Sequence, residues 1–188
     1  MIKIGITGSI SSGKTTASMF LSNKRGPVFN ADKIVQNLYR KKNFKKLLAN
    51  KFNLTLSSKF KEKLKDKVVS KKSNLNKLSK IIHPKVRKEM FIFLKKNKNK
   101  KLFFVEIPLL IENRLAKYFN KIIFIKSSKS IRLRRYKKKG GNQKLFELLD
   151  SKQIKDEKKM IFCDHVVVNN ASLFVLKKKL LNIIKNYE

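Results

Sequence analysis

A short loop near the N-terminus carries residue types that bind phosphate. Residues 8–15 read GSISSGKT and match the pattern G-x-x-x-x-G-K-[ST] at every fixed position. Gly8 and Gly13 permit backbone angles at which successive N–H groups converge on phosphate oxygens. Lys14 can reach the β- and γ-phosphates of a nucleoside triphosphate, and the Thr15 hydroxyl can bind Mg²⁺. The loop therefore predicts a nucleotide site, against the alternative of a fortuitous Gly/Ser turn.

The carboxylate of Asp32 is a candidate for proton transfer. It follows a short apolar stub, Val28 and Phe29, that reads as a second strand. The carboxyl ends of strands in an α/β sheet share one edge, so an acid there is expected near the phosphate loop. Such a carboxylate can accept the proton of an attacking hydroxyl and help to hold Mg²⁺. Asp32 is equally suited to be the N-cap of a helix starting at Lys33, and the two roles are compatible.

Other classes of nucleotide-binding protein fit the sequence less well. The D-x-x-G and N-K-x-D elements of GTPases do not occur at its aspartates. The apolar run 102–105 ends in Glu106, as a strand ends in a metal-side acid in motor-type ATPases. However, Ile107 and Pro108 follow at once, and 188 residues are few for a mechanical ATPase. A kinase for a small molecule is therefore favoured.

The strands that would position these residues alternate with helical segments. Apolar, β-branched and aromatic runs predict strands at residues 2–6, 28–29, 102–105, 122–125 and 166–168. Helical patterns follow at residues 14–23 and 173–184, and two longer helical segments, near residues 33–99 and 130–160, extend away from the sheet. The alternation predicts an α/β fold with a parallel sheet.

The net charge of +36 suggests, by itself, a nucleic-acid or anionic-membrane partner. Only seven of the 48 basic residues are arginine, however, and the abundant Lys, Asn, Ile and Phe have A/T-rich codons. Nucleic-acid readers favour arginine for bidentate contacts, so a genome-wide compositional bias explains the charge better. The cluster of Arg132, Arg134 and Arg135 fits a nucleic-acid patch and a phosphate-closing lid equally well.

Length and composition predict one compact domain, because 41% of the 188 residues are hydrophobic. The single Cys163 excludes an intramolecular disulfide and reads as a small buried hydrophobe. His83 before Pro84, taken alone, reads as a helix-end or packing residue. No apolar run approaches the roughly 18 residues that span a bilayer, and the N-terminus lacks a signal-peptide core. A cytoplasmic location without a membrane partner is therefore expected.

A set of motifs in a fixed order resembles the dephospho-CoA kinase family across essentially the whole chain. The motifs are GSISSGKTT at residues 8–16, NADKI at 30–34, IHPKV at 82–86, IPLLIE at 107–112, and Gln153 followed by DHVVVN at 164–169. The resemblance implies transfer of the γ-phosphate of ATP to the ribose 3′-hydroxyl of dephospho-CoA, the last step of coenzyme A synthesis. It also implies an α/β P-loop NTPase core (about residues 1–32, 100–129 and 161–188), an inserted helical domain on the CoA side (about 33–99) and a helical lid (about 130–160), all within one domain.

The same resemblance implies roles for individual residues, with ATP, dephospho-CoA and Mg²⁺ as ligands and no specific nucleic acid. Asp32 would be the catalytic acid–base residue, and Lys14 and Arg135 would neutralise charge on the transferring phosphate. Thr15 would bind the metal. The ATP-binding positions would be Gly8, Ser11, Ser12, Gly13, Lys14, Thr15 and Thr16. The substrate-binding positions would be Asp32, His83, Pro84, Pro108, Leu109 and Leu110.

Five positions depart from the usual pattern of the family. Ser9 and Ser11 replace loop glycines, Asn30 replaces an aspartate, Arg132 replaces the lid glutamine, and Lys61 stands where arginine is common. Neither serine is at a fixed position of the general loop pattern, so nucleotide binding should survive. Two alternatives are another nucleoside or small-alcohol P-loop kinase, and a nucleic-acid-binding protein that uses the loop as a switch.

Overall fold

The chain forms two compact units. The first contains residues 1–30 and 93–188, and the second contains residues 31–92. The computed structural model describes the backbone of residues 1–188 and every side chain except that of Lys72. None of the helices described combines the length and the apolar character needed to cross a membrane.

Five parallel strands form the sheet of the first unit. They are β1 (Ile2–Gly8), β2 (Val28–Asn30), β3 (Leu102–Glu106), β4 (Lys121–Lys126) and β5 (His165–Val168). Their order across the sheet is β2-β3-β1-β4-β5, so β1 lies at the centre. All five residues of β3 are buried, as expected for a strand covered on both faces. The parallel α/β sheet predicted from the alternating pattern is confirmed.

Helices follow β1, β2, β4 and β5, whereas only a short 3₁₀ turn lies between β3 and β4. In chain order they are α1 (Lys14–Ser22), α2 (Ala31–Arg40), α3 (Lys42–Phe52), α4 (Phe60–Ser70), α5 (Lys72–Lys96), α6 (Lys129–Lys138), α7 (Gln143–Ser151), α8 (Asp156–Met160) and α9 (Leu173–Ile184). Short 3₁₀ turns cover Ala116–Tyr118 and Lys185–Tyr187.

The packing of α1 and α9 on the sheet fixes the position of the phosphate loop. Ala17 and Leu21 of α1 and Leu176 and Leu180 of α9 are buried in one cluster with side chains of β1, β3 and β4. Residues four apart lie on one face of a helix, so each pair presents one apolar face. Burial of these faces holds the first turn of α1 against the end of β1.

The second unit has a core of its own, built on the same four-residue spacing. Its buried side chains are Leu38, Phe44, Leu48, Ala49, Phe52, Phe60, Leu64, Val68 and Ile82. Asn53 ends α3 in the left-handed conformation, with φ of 50°, and its N–H bonds to carbonyls of the last turn.

His83 and Pro84 lie inside α5, so the helix-end interpretation of His83 is wrong, whereas the alternative of a packing residue fits its half-buried side chain. Pro84 lacks an N–H, and the carbonyl of Lys80 therefore has no helical donor at this turn. The helix continues because the apolar positions persist at four-residue spacing beyond the proline. Ile82 and Met90 are both buried, and this burial outweighs one lost hydrogen bond.

Asp32 lies in the first turn of α2, which begins at Ala31. It is therefore not the N-cap of a helix starting at Lys33. Its carboxylate is exposed and interacts favourably with the positive end of the helix dipole.

Candidate functional site

The phosphate loop joins the central strand β1 to helix α1, and its two fixed glycines are required by sterics. Gly8 has φ of 149° and Gly13 has φ of 102°. A Cβ at Gly8 would collide with the carbonyl oxygen of Ile125, and one at Gly13 would collide with the side-chain amide of Asn169. Ser11 also has positive φ, at 57°. The loop thus has the strained, close-packed backbone that the phosphate-binding pattern predicts.

Lys14 places a buried positive charge at the start of α1. Its side chain is 7% exposed, and its Nζ donates a hydrogen bond to the carbonyl of Ser9 at 3.0 Å. The ammonium therefore folds back over the loop. Together with the N-terminal end of the helix dipole, it makes this point suitable for an anionic phosphate.

Glu106 is the site residue that the sequence interpretation set aside. It ends β3 and is 1% exposed. Its carboxylate accepts hydrogen bonds from Thr15 Oγ1 at 2.7 Å, Ser18 Oγ at 2.9 Å and Asn30 Nδ2 at 2.6 Å. The sequence carries the signal of an apolar strand ending in an acid, but Ile107, Pro108 and the short chain weigh against the motor-type ATPase in which such an acid is usual. The acid thus joins the ends of β2 and β3 to the first turn of α1.

The oxygen atoms at this point suit Mg²⁺, although they do not form a complete cage. Thr15 is exposed and its hydroxyl contacts Glu106. Among the described residues, no group of three or more His, Cys, Asp or Glu side chains could hold a metal ion. Mg²⁺ in kinases is held by one or two protein oxygens together with phosphates and waters. A hydroxyl beside one carboxylate fits that mode of binding.

Arg135 and Asn169 support the second half of the loop. Arg135 donates to the carbonyls of Ser12 and Asn169, at 3.3 and 3.2 Å, and to Ser127 Oγ at 3.3 Å. Burial lowers the pKa of Arg135, and the charge of the neighbouring Arg134 lowers it further. Asn169 is 3% exposed and donates to the Ser12 carbonyl at 2.7 Å. The lid arginine named from the sequence therefore lies against the loop backbone.

Two polar atoms under the loop lack a hydrogen-bond partner among the residues whose side chains are described. They are Ser12 Oγ and Asn169 Oδ1, and both are buried. Unsatisfied buried acceptors and donors are uncommon and costly in proteins. Ser12 is part of the loop and Asn169 supports it, and their side chains lie close to the loop backbone at Gly8 and Gly13.

The remaining predicted site residues lie either in the segment after β3 or in the second unit. Pro108 and Leu109 follow β3 and are half-buried, and the Pro108 carbonyl accepts a hydrogen bond from Thr7 Oγ1 at 3.2 Å. Leu110 is fully buried and lies next to Gly5, where an added Cβ would meet its Cδ1 at 2.8 Å. Asp32, His83 and Pro84 belong to the second unit, where Asp32 and Pro84 are exposed and His83 is half-buried.

Cys163 is not activated as a nucleophile. Burial raises the pKa of its thiol to about 12, and the nearby carboxylate of Asp164 adds to the effect. A thiol with that pKa is almost wholly protonated at neutral pH. Cys163 is half-buried and not fully buried as predicted, and its protonated thiol agrees with the prediction that it is not a nucleophile.

The strand order β2-β3-β1-β4-β5, with the phosphate loop between β1 and α1, defines a nucleotide-binding protein of the P-loop kinase class. The profile of one family within it, dephospho-CoA kinase, matches residues 2–174, and the chain belongs to that family. The dephospho-CoA kinase of Fusobacterium nucleatum is 34% identical over 181 residues, which cover 94% of this chain and 93% of the relative. The family resemblance of the motifs is confirmed.

Two solved structures share the fold. The crystal structure of TT1252 from Thermus thermophilus has a TM-score of 0.79 and 26% identity, and the match covers 100% of this chain and 98% of that one. Dephospho-CoA kinase from Campylobacter jejuni has a TM-score of 0.67 and 24% identity over 98% of this chain and 96% of its own. Family membership makes the chain an ATP-dependent kinase of the final step of coenzyme A synthesis.

Proposed function

We propose that the Thr15–Glu106 pair and Lys14 carry out the ATP side of phosphoryl transfer to the ribose 3′-hydroxyl of dephospho-CoA. The observation that carries this proposal is the buried Glu106 carboxylate bonded to the Thr15 hydroxyl, beside a buried Lys14 at the start of α1. Residues 11–16 bind the phosphates of ATP, with Gly8 shaping the entry to the loop. Preorganised charge of this kind is the main source of acceleration in phosphoryl transfer.

Thr15 and Glu106 are the residues that would hold Mg²⁺. The ion, when bound with ATP, neutralises charge on the β- and γ-phosphates. The hydrogen bond between Thr15 and Glu106 keeps the hydroxyl oxygen and the carboxylate oxygen next to each other at the first turn of α1. Asn30 supplies a donor to Glu106 where the family usually has a second carboxylate, so this position holds one carboxylate fewer than is usual in the family.

Asp32 is the proton acceptor in the proposed reaction. The substrate 3′-oxygen forms a bond to the γ-phosphorus while the bond from that phosphorus to the β,γ-bridging oxygen breaks. The bridging electron pair leaves with ADP, and the hydroxyl proton passes to the Asp32 carboxylate. An exposed carboxylate at the start of α2 is accessible to a substrate hydroxyl.

The remaining residues of the proposed site have the roles that the family resemblance implies. The helical unit, with His83 and Pro84, and the segment Pro108, Leu109 and Leu110 form the dephospho-CoA side. Residues 130–160 form the lid, and Arg135 stabilises charge on the transferring phosphate. Its contacts with the Ser12 carbonyl and Asn169 keep the guanidinium beside the loop, which supports this role.

A product assay tests the proposal. The full chain is incubated with ATP, Mg²⁺ and dephospho-CoA, and the product is analysed for a 3′-phosphate. Formation of ADP and coenzyme A in equal amounts is expected. A panel of nucleosides and small alcohols in place of dephospho-CoA tests the alternative kinases, and turnover of one of these without turnover of dephospho-CoA overturns the assignment of the acceptor.

A further inference from the structure

Ser9 replaces a glycine of the usual family loop. Its carbonyl and its hydroxyl form hydrogen bonds to two different parts of the molecule. It is 2% exposed. Its carbonyl accepts hydrogen bonds from Lys14 Nζ at 3.0 Å and from the Ser12 N–H at 3.1 Å. Its hydroxyl donates to the Asp156 carboxylate and lies 3.4 Å from Lys159 Nζ, which donates to it.

The partners of the Ser9 hydroxyl belong to a buried ionic group, which we term the Lys159 cluster: Lys159, Glu112 and Asp156. Lys159 is fully buried, and its Nζ lies 3.2 Å from Glu112 Oε1 and 4.0 Å from Asp156 Oδ1. A buried ammonium is costly unless it is paired and hydrogen-bonded. Two carboxylates face one cation, so the cluster has an excess of acceptors, and a hydroxyl donor from Ser9 satisfies one of them.

A second side chain from the same segment holds the next residue of the loop. Gln153 Oε1 accepts the N–H of Ile10 at 3.1 Å. That N–H is therefore directed to a side chain and not toward a phosphate. Residues 9 and 10, in the first half of the loop, are thus bound by side chains of the segment 153–159.

We propose that Ser9 is a positioning residue for the nucleotide phosphates, acting through Lys14. The proposal rests on the nucleotide-binding role given above. Its hydroxyl fixes the peptide whose carbonyl holds the Lys14 ammonium, and it does so by bonding to the Lys159 cluster. A glycine at this position would have neither the hydroxyl nor the restricted backbone. The serine thus holds the loop and Lys14 in position before ATP binds.

Variants of Ser9 keep the Lys14 ammonium and change only how well it is held before ATP binds, so they weaken bound ATP and the transition state equally. Interactions made equally in both states change KM and leave kcat nearly unaltered. A purely structural role would instead lower thermal stability and leave both constants unchanged. The split between KM and kcat therefore separates the two roles.

The experiment uses Ser9→Ala, Asp156→Ala and the double variant in the full chain. Affinity for Mg²⁺–ATP is measured by titration calorimetry without acceptor, so that a wrong assignment of the acceptor does not affect the result. A hydrogen bond to a charged group gives an expected weakening of about 5- to 30-fold for each single variant. The double variant should be no weaker than the poorer single variant, because both remove the same interaction.

Two further variants make the test specific. Lys178→Ala removes an exposed charge from α9, outside the proposed lid, and should leave ATP affinity unchanged. Ser9→Gly removes the hydroxyl and frees the backbone, so it should bind ATP no better than Ser9→Ala. ATP affinity in Ser9→Ala equal to the unmodified chain, or additive losses in the double variant, would overturn the proposal. Loss of Tm with unchanged ATP affinity would likewise assign Ser9 to stability alone.

Discussion

The Glu106 carboxylate accepts a hydrogen bond from the Thr15 hydroxyl at 2.7 Å, although the two residues are 91 positions apart in the chain. The contact exists because β3 lies directly beside β1 in the sheet, with Ile6 paired to Glu106. The end of β3 therefore faces the first turn of the helix that leaves the phosphate loop. This relationship gives the first of five predictions.

Replacing Glu106 by glutamine should impair the metal-dependent step. Glu106→Gln keeps the size of the side chain but removes its negative charge, so we expect turnover to fall by roughly 10- to 100-fold. The dependence of rate on Mg²⁺ concentration should shift to higher concentrations. Steady-state kinetics over a range of Mg²⁺ concentrations measure both changes. Glu157→Gln, at an exposed position, is the control, and equal behaviour of the two variants would contradict a metal-side role for Glu106.

Removal of the Lys14 ammonium should weaken ATP binding and transfer together. Lys14→Ala deletes a buried charge that lies at the loop, so we expect a fall in kcat/KM of roughly 100-fold or more. Nucleotide titration and initial-rate kinetics measure the two effects. Lys144→Ala, which removes an exposed lysine from α7, should change neither. Unaltered ATP affinity in Lys14→Ala would refute the nucleotide site.

Asp32→Asn should reduce the chemical step without reducing ATP binding. Loss of a proton-accepting group typically lowers kcat by roughly 10²- to 10⁴-fold. Product formation in single turnover and ATP titration distinguish the two steps. Asp66→Asn, an exposed acid of α4 in the same unit, is the matched control. Near-normal turnover in Asp32→Asn would leave Asp32 only its interaction with the dipole of α2.

The Asp164 carboxylate should make stability depend on acid pH. Burial acts to raise the pKa of Asp164, but hydrogen bonds from Lys121 and the Ile122 N–H lower it below its ordinary value of 3.8. Because the folded pKa is the lower one, the stabilisation is present above pH 3.8 and is lost as the pH falls through the folded value.

The test of this linkage is thermal unfolding of Asp164→Asn from pH 7 to pH 3. We expect the variant to have a Tm lower by about 2–4 °C at pH 7, and the difference to shrink below pH 3.8. Asp66→Asn serves again as the control. A difference in Tm that is constant over the whole range would show that the charge of Asp164 is not responsible.

The net charge of +36 should produce only salt-sensitive, unspecific binding to nucleic acid. Lysines scattered over a surface bind phosphates by release of counterions, so affinity should collapse by about 0.2 M salt without preference for sequence or structure. Titration of unrelated DNA and RNA duplexes at several salt concentrations measures this. A complex with one sequence that persists at physiological salt would favour the nucleic-acid alternative.

The sequence predicted those features that depend on neighbouring residues. The phosphate loop is a contiguous pattern, and the alternation of strands with helices follows from local hydrophobic periodicity. The role of Glu106 could not be predicted, because its partners Thr15, Ser18 and Asn30 come close only when β2, β3 and β1 pair in this order. Strand order is a tertiary property, and no local pattern encodes it.

The same distinction between local pattern and tertiary structure explains the other differences between the prediction and the structure. Taken alone, the sequence leaves His83 as either a helix-end or a packing residue, whereas burial of Ile82 and Met90 continues α5 beyond Pro84. The position of Arg135 in the family pattern predicts its role. Its contacts with Ser12 and Asn169 could not be predicted, because they depend on the sheet edge formed by β4 and β5.

The use of the Ile10 N–H by Gln153 has a consequence for how the loop can vary between related kinases. The Ile10 N–H is bonded to a side chain, so residue 10 can vary without loss of a phosphate donor, whereas a change of Ser9 also removes the hydroxyl that Asp156 accepts. The following half of the loop has no such freedom, because its donors must fit a ligand of fixed shape. Relatives that anchor the loop in this way are therefore expected to change positions 9 and 156 together.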